Sequence, residues 1–239
     1  MARNRPGPRG SLRFALGVAA WTVVSAGCGM GLGATLRIVQ LREHAPERTA
    51  LQARNQRRTG RPPTKSWLDL AAMDPDVKHA VLVSEDIRFF DHRGFDFHEL
   101  KVALRDAYES GDPPRGASTL TQQLAKNLYL TADRSLVRKL VEAFYTVVME
   151  TLLSKERILE LYLNEVEFGP QVYGVDAAAR HHFGRSAQDL SPEQAAQLAA
   201  LLPAPYRDHP RSGREIYVAR WNRILDRMAS TADFRARIP

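Results

Sequence analysis

Cysteine is nearly missing from this chain: Cys28 stands alone among 239 residues. That excludes an intrachain disulfide and any cysteine-cluster metal site, while leaving the compartment open. Internal repeats and long low-complexity tracts are absent too. No segment shows sustained period-two alternation bounded by turns, so the part beyond the N-terminal region reads as mainly α. The basic residues lack the interleaved aromatics that base stacking would use, which argues against a nucleic-acid module. What the chain has in excess is positive charge, +7 net, and this points to an anionic partner such as anionic lipid or a phosphorylated substrate. Length and a 44% hydrophobic composition fit one globular domain plus an accessory segment.

The accessory segment is N-terminal. Phe14 to Leu36 is an uncharged run of 23 residues, diluted by five glycines. As a helix it would span roughly 35 Å, enough to cross a bilayer. Arg3, Arg5, Arg9 and Arg13 precede it, which places the N-terminus in the cytoplasm and the remainder outside. An uncleaved anchor is the reading. A cleaved signal peptide would have a shorter apolar region, and Ser25-Ala26-Gly27-Cys28 departs from a lipoprotein-type site at Ser25. Residues 37 to 66 are polar and basic and read as a juxtamembrane linker.

From about Ser66 the pattern is helical. Asp74-Pro75 opens a helix that ends near Glu85, and Asp96 with Glu99 opens one that stops at Gly111. Ser118 is the expected cap of the next helix, followed by caps at Ser135, Ser154 and Ser191-Pro192. Asn164 is expected to close the helix begun at Ser154. On the helix from Leu136, the stripe Leu140, Ala143, Phe144, Val147 and Thr151 is expected to face the core. A last amphipathic helix runs from about Glu215 to Ala229.

Polar chemistry is densest between Arg115 and Glu142. Gln122 and Lys126 share a helix face, as do Gln123 and Asn127, and Arg138, Lys139 and Glu142 fall within about one turn. Taken singly, each residue fits a solvated face. Upstream, Glu85 lies between the apolar run Ala80 to Val83 and the pair Phe89-Phe90. Such surroundings raise a carboxylate's pKa and suit general acid or base work, although an exposed carboxylate, or one paired with Arg88 or Lys78, is the plain alternative. Glu142 shares its side of the helix with Tyr145 and Met149, which points it into a partly covered cleft; the alternative is a simple pair with Arg138. Two separated carboxylates and a basic cluster suit acid/base chemistry on a substrate carrying phosphate.

Five segments in order resemble the motifs of the monofunctional biosynthetic peptidoglycan transglycosylases. These belong to glycosyltransferase family 51, whose module also forms the N-terminal half of bifunctional penicillin-binding proteins. The segments are Glu85 to Gly94, Gly116 to Asn127, Arg138 to Glu142, Lys155 to Asn164, and Phe168-Gly169 through Gly174 to Ala179. Phe90 stands where many members have tyrosine and Leu120 where isoleucine is usual. The resemblance covers about Trp67 to Met228.

The resemblance implies a lysozyme-like helical glycosyltransferase domain behind one transmembrane helix: a basic cytoplasmic terminus (1–13), anchor (14–36), linker (37–66), transglycosylase domain (67–233) and tail (234–239). It implies polymerisation of lipid II, the lipid-linked disaccharide-peptide, onto a growing lipid-linked strand, with inversion to a β-1,4 link and loss of polyprenyl pyrophosphate. Glu85 would be the general base. Lys126, Arg134 and Lys139 would surround the donor pyrophosphate, Glu142 would organise that site, and Ser118, Gln122 and Gln123 would line the cleft, with Arg138 in a supporting place. No cofactor is implied beyond a divalent cation (Mg2+ or Mn2+) at the pyrophosphate, for which no ligand set is legible. The implied location is the bacterial inner membrane with the domain on the periplasmic side, beside other cell-wall synthesis or division proteins. A glycan-cleaving enzyme of similar fold is the rival, and it has no need of a pyrophosphate cluster.

Overall fold

The computed structural model describes residues 31–113, 116–130 and 135–239. Residues 31–40 are helical (α1). They are followed by α2 (Ala50–Thr59), β1 (Thr64–Lys65), a 3-10 turn (Leu70–Ala72), α3 (Pro75–Glu85), α4 (Phe97–Ser110), α5 (Leu120–Tyr129), α6 (Leu136–Leu152) and α7 (Lys155–Glu165). Then come β2 (Glu167–Gly169), β3 (Val172–Tyr173), α8 (Val175–Phe183), α9 (Pro192–Ala199), α10 (Glu215–Ser230) and α11 (Ala232–Arg235).

Local cap chemistry sets many of these boundaries. Asp74, Asp96, Ser135, Ser154 and Ser191 each accept a backbone N–H from the first turn they precede. Gly111, at φ 76°, ends α4 in the left-handed conformation. At α5 the cap is Thr119, not Ser118. Thr119 and Gln122 form a reciprocal capping box, which Ser118 could not make with Thr121 three residues on. Helix α7 continues one residue past Asn164. Asn164 is fully buried, and its amide holds both the N–H and the C=O of Leu68 at 2.9 Å.

Helix α3 is buried from Val77 to Val83 and packs against α9 and α10. A second group forms around α5, which packs against α2, α6 and α7, and α8 touches both α7 and α9. The three strands form one sheet in the order β1-β3-β2, with β1 parallel and β2 antiparallel to β3. Each strand has only two or three residues, too few to write an alternating pattern into the sequence. Gly174, at φ 84°, closes the hairpin against α7, where a Cβ would lie 2.7 Å from the Asn164 carbonyl oxygen.

Two larger expectations fail as well. The stretch 37–66 is built into the domain instead of forming an extended linker. Gln52 and Asn55 of α2 are buried, and their amides donate to Glu165, Glu167 and the Tyr173 hydroxyl, each at 2.9 Å. Helix α2 is therefore anchored by buried hydrogen bonds, which an apolar-pattern reading does not register. On α6 the orientation is the reverse of the one expected. Leu140 is 71% exposed and Val147 52%, whereas Glu142, Thr146 and Met149 are buried. Periodicity identifies an apolar face without saying what covers it, and the buried carboxylate is made tolerable by two cations on its own helix. Most of the expected anchor lies outside the described residues, and among the described residues no helix is long and apolar enough to cross a membrane.

Candidate active site

Glu85 is the last residue of α3 and meets α5 across the junction of the two helix groups. The Gln123 amide donates to Glu85 Oε2 at 2.9 Å, and the Tyr162 hydroxyl of α7 donates to the carbonyl end of the same amide at 3.0 Å. Burial pushes the Glu85 carboxyl above the ordinary carboxylate range. Hydrogen bonds from Gln123 and Ser84 and the charges of Arg220 and Lys126 pull it back. The result is a carboxylate that can ionise yet holds a proton more readily than an exposed one.

The next residue fixes this helix end. Buried Asp86 accepts the Leu120 N–H, at the start of α5, at 2.9 Å, and His92 Nε2 lies 3.0 and 3.1 Å from its two oxygens. The Thr119 hydroxyl donates to the Gly94 carbonyl at 2.7 Å. Gly94 has φ 85°, and a Cβ there would meet Thr146 Cγ2 of α6 at 2.6 Å. Glycine thus lets the loop after α3 lie directly on α6. Asp86, His92 and Asp96 are the one three-residue group among the described residues whose ligand atoms approach closely enough for a metal. Their oxygens are already occupied, Asp86 by Leu120 and His92, Asp96 by the Glu99 N–H at 2.9 Å and Arg88 at 3.1 Å. The group works as a strut.

On α6, Glu142 accepts Arg138 Nη1 at 2.6 Å and is paired with Lys139 as well, its own side chain being 4% exposed. Lys126 faces this pair from α5. Its surroundings hold its pKa below the ordinary lysine value through desolvation, with Glu142 and Glu85 opposing that effect and Arg138 and Lys139 adding to it. The side chain nonetheless keeps contact with solvent, although neighbouring atoms crowd it, and it makes no hydrogen bond or ion pair among the described residues. It therefore lies in the fields of both carboxylates with no bonded partner among the described residues. Gln122 was expected to line the cleft, but it is buried and its amide oxygen accepts the Thr119 N–H at 3.0 Å. Arg134 lies outside the described residues.

Beside Glu85 opens a cavity of about 550 Å³, lined also by Ser118 and by Arg220, Arg223 and Arg227 of α10. Arg220 donates to the Ala200 carbonyl at 2.9 Å and to Asp208 at 3.1 Å, and Arg227 donates to the Val83 carbonyl at 3.2 Å. These arginines were missed from sequence. They stand more than 130 residues from Glu85 and follow no motif, and their spacing on an amphipathic helix was the only available signal. A base that borders a cavity and lies in the field of a nearby ammonium can deprotonate a hydroxyl while an anionic group leaves.

Comparison with known proteins agrees. A family model described as Transglycosylase matches residues 52–229. The biosynthetic peptidoglycan transglycosylase of Alcanivorax borkumensis is 47% identical over 169 residues, covering 71% of this chain and 68% of that protein. Proteins of the same description from Acinetobacter baumannii and Chromohalobacter salexigens are 48% and 50% identical, over 66% and 68% of this chain and 71% and 69% of theirs. The chain belongs to the transglycosylase family.

Proposed function

We propose that the protein is a peptidoglycan glycosyltransferase that polymerises lipid II into glycan strands for the cell wall. The observation that carries this reading is Glu85: a carboxylate of raised pKa, held by Gln123, open to a cavity and in the field of Lys126, which has no ion-pair partner among the described residues. In this reaction Glu85 takes the proton of the acceptor's 4-hydroxyl, whose oxygen attacks the donor's anomeric carbon with inversion. The bond to the pyrophosphate breaks, and its electron pair leaves with the polyprenyl pyrophosphate. Lys126 stabilises the charge that develops there, while Lys139 and Arg138, tied to Glu142, hold the positive wall in place. Ser118 borders the acceptor's cavity. Arg134 completes the donor side by resemblance alone. A divalent cation would neutralise pyrophosphate charge when bound, but Glu142 is taken up by its two cations, so no metal-dependent step is assigned to these residues.

The substrates carry lipid tails, and the exposed apolar side chains fit work at a bilayer. Leu136, Leu140 and Phe144 of α6, Leu32 and Leu36 of α1, and Phe97 and Leu104 of α4 are all exposed. With the apolar run at 14–36 as anchor, the domain would rest on the outer leaflet of the bacterial inner membrane. Loss of co-sedimentation with anionic vesicles on Leu140→Ser with Phe144→Ser, at unchanged melting temperature, is the expected result; full retention would remove this docking.

Purified full chain incubated separately with lipid-linked disaccharide-peptide and with finished glycan tests the reaction. Polymer from the first supports synthesis. Shortening of the second without polymer from the first would make the protein a glycan-cleaving enzyme.

A further inference from the structure

We infer that Tyr162 is a positioning residue for the base, its hydroxyl fixing the sense of the Gln123 amide so that an N–H, never a carbonyl, faces Glu85. The inference rests on the reading of Glu85 as general base.

Tyr162 lies on α7 and is fully buried, and its hydroxyl donates to Gln123 Oε1 at 3.0 Å. Among the described residues Gln123 is the acceptor this hydroxyl meets, and a buried phenol that does not donate to its acceptor loses a hydrogen bond. That donation holds the carbonyl end of Gln123 toward α7 and leaves Nε2, 2.9 Å from Glu85 Oε2, to donate to the carboxylate. A free primary amide could turn over and offer its oxygen instead. It would then repel the ionised carboxylate and welcome the protonated acid.

Other charged groups act on Glu85 without fixing the amide's sense: Arg220 from α10 and Lys126 from α5 favour ionisation. Around Tyr162, burial together with the nearby charges of Glu85 and Asp86 holds the phenol well above its ordinary pKa, so it remains a donor throughout the working range. The relay therefore gives the base the same hydrogen-bond partner before and after it takes the proton, which favours the ionised form that starts the reaction.

Tyr162→Phe removes one oxygen and keeps the ring. With the full chain in detergent, the acid limb of the kcat/KM profile should move up by roughly one pH unit. Gln123→Met should move it similarly, and the double variant should add no further shift, as expected for two residues acting through one contact. Independently of turnover, the Glu85 side-chain carboxyl, labelled with carbon-13 and assigned through Glu85→Gln, should titrate higher in Tyr162→Phe than in the parent. An unmoved carboxyl titration in Tyr162→Phe, or fully additive shifts in the double variant, would overturn the inference. Absence of polymer from the parent at every pH would sink the assigned reaction instead, and the carboxyl titration would still decide the role of Tyr162.

Discussion

The Asp86 carboxylate accepts the Leu120 N–H at 2.9 Å, so the end of the helix that carries Glu85 is pinned to the first turn of the helix that carries Gln123 and Lys126. A negative charge at a helix N-terminus is favoured by the free N–H groups there, and His92 occupies the remaining approach to the same carboxylate.

Asp86→Ala removes this strut and leaves a buried N–H and an imidazole without their acceptor. The expected loss of stability is about 1–3 kcal/mol. Turnover should fall at least about tenfold, because Glu85 loses its alignment with Gln123. Denaturant unfolding and initial rates together check this, and a variant with parental values of both would show that the contact is incidental.

Lys126 and Lys139 should respond differently to neutralisation. Lys126 makes no ion pair among the described residues, whereas Lys139 is already paired with Glu142. Lys126→Met should lower kcat/KM by roughly two to three orders of magnitude, the scale of losing a cation or donor at developing charge. Lys139→Met should cost less. Steady-state kinetics with the lipid-linked precursor decide it, and the reverse order would place the leaving group against α6.

How much of this could be read beforehand depended on how local the determinant was. Caps at Asp74, Ser135, Ser154 and Ser191 are written within a few residues, and the helices begin where those residues predict. Glu85 was legible because its apolar neighbours are adjacent in the chain. The α6 stripe was not, since its burial depends on what packs against it; the structure places Leu140 and Val147 outside and Glu142 inside. Helix α2 was missed because Gln52 and Asn55 find their partners more than 110 residues away. Non-local pairing also hid Tyr162, 39 residues from its partner Gln123, and the arginines of α10.

The clamp holding α2 should impose its own pH dependence on stability. Burial pushes the Glu165 carboxyl up to about 7, against the pull of Lys65 and the Gln52 amide. An unfolded glutamate titrates near 4.3, so between these values the folded protein keeps a proton that the unfolded chain has released. The contribution of this group is full below the unfolded value and is lost as pH rises through about 7. Glu165→Gln cannot ionise. Melting temperatures from pH 5 to 8 should therefore fall less steeply for the variant than for the parent, and parallel profiles would mean that Glu165 titrates alike in both states.

The most direct test of the assigned chemistry is Glu85→Gln. The substitution keeps the shape and removes the base, while the basic cluster on α5 and α6 is untouched. Parent and variant full chains are incubated with lipid-linked disaccharide-peptide, and polymeric glycan is measured over time. Polymer from the parent, with a rate at least about a hundredfold lower from Glu85→Gln, is the result expected of a general base. Polymerisation by Glu85→Gln at the parental rate would contradict it.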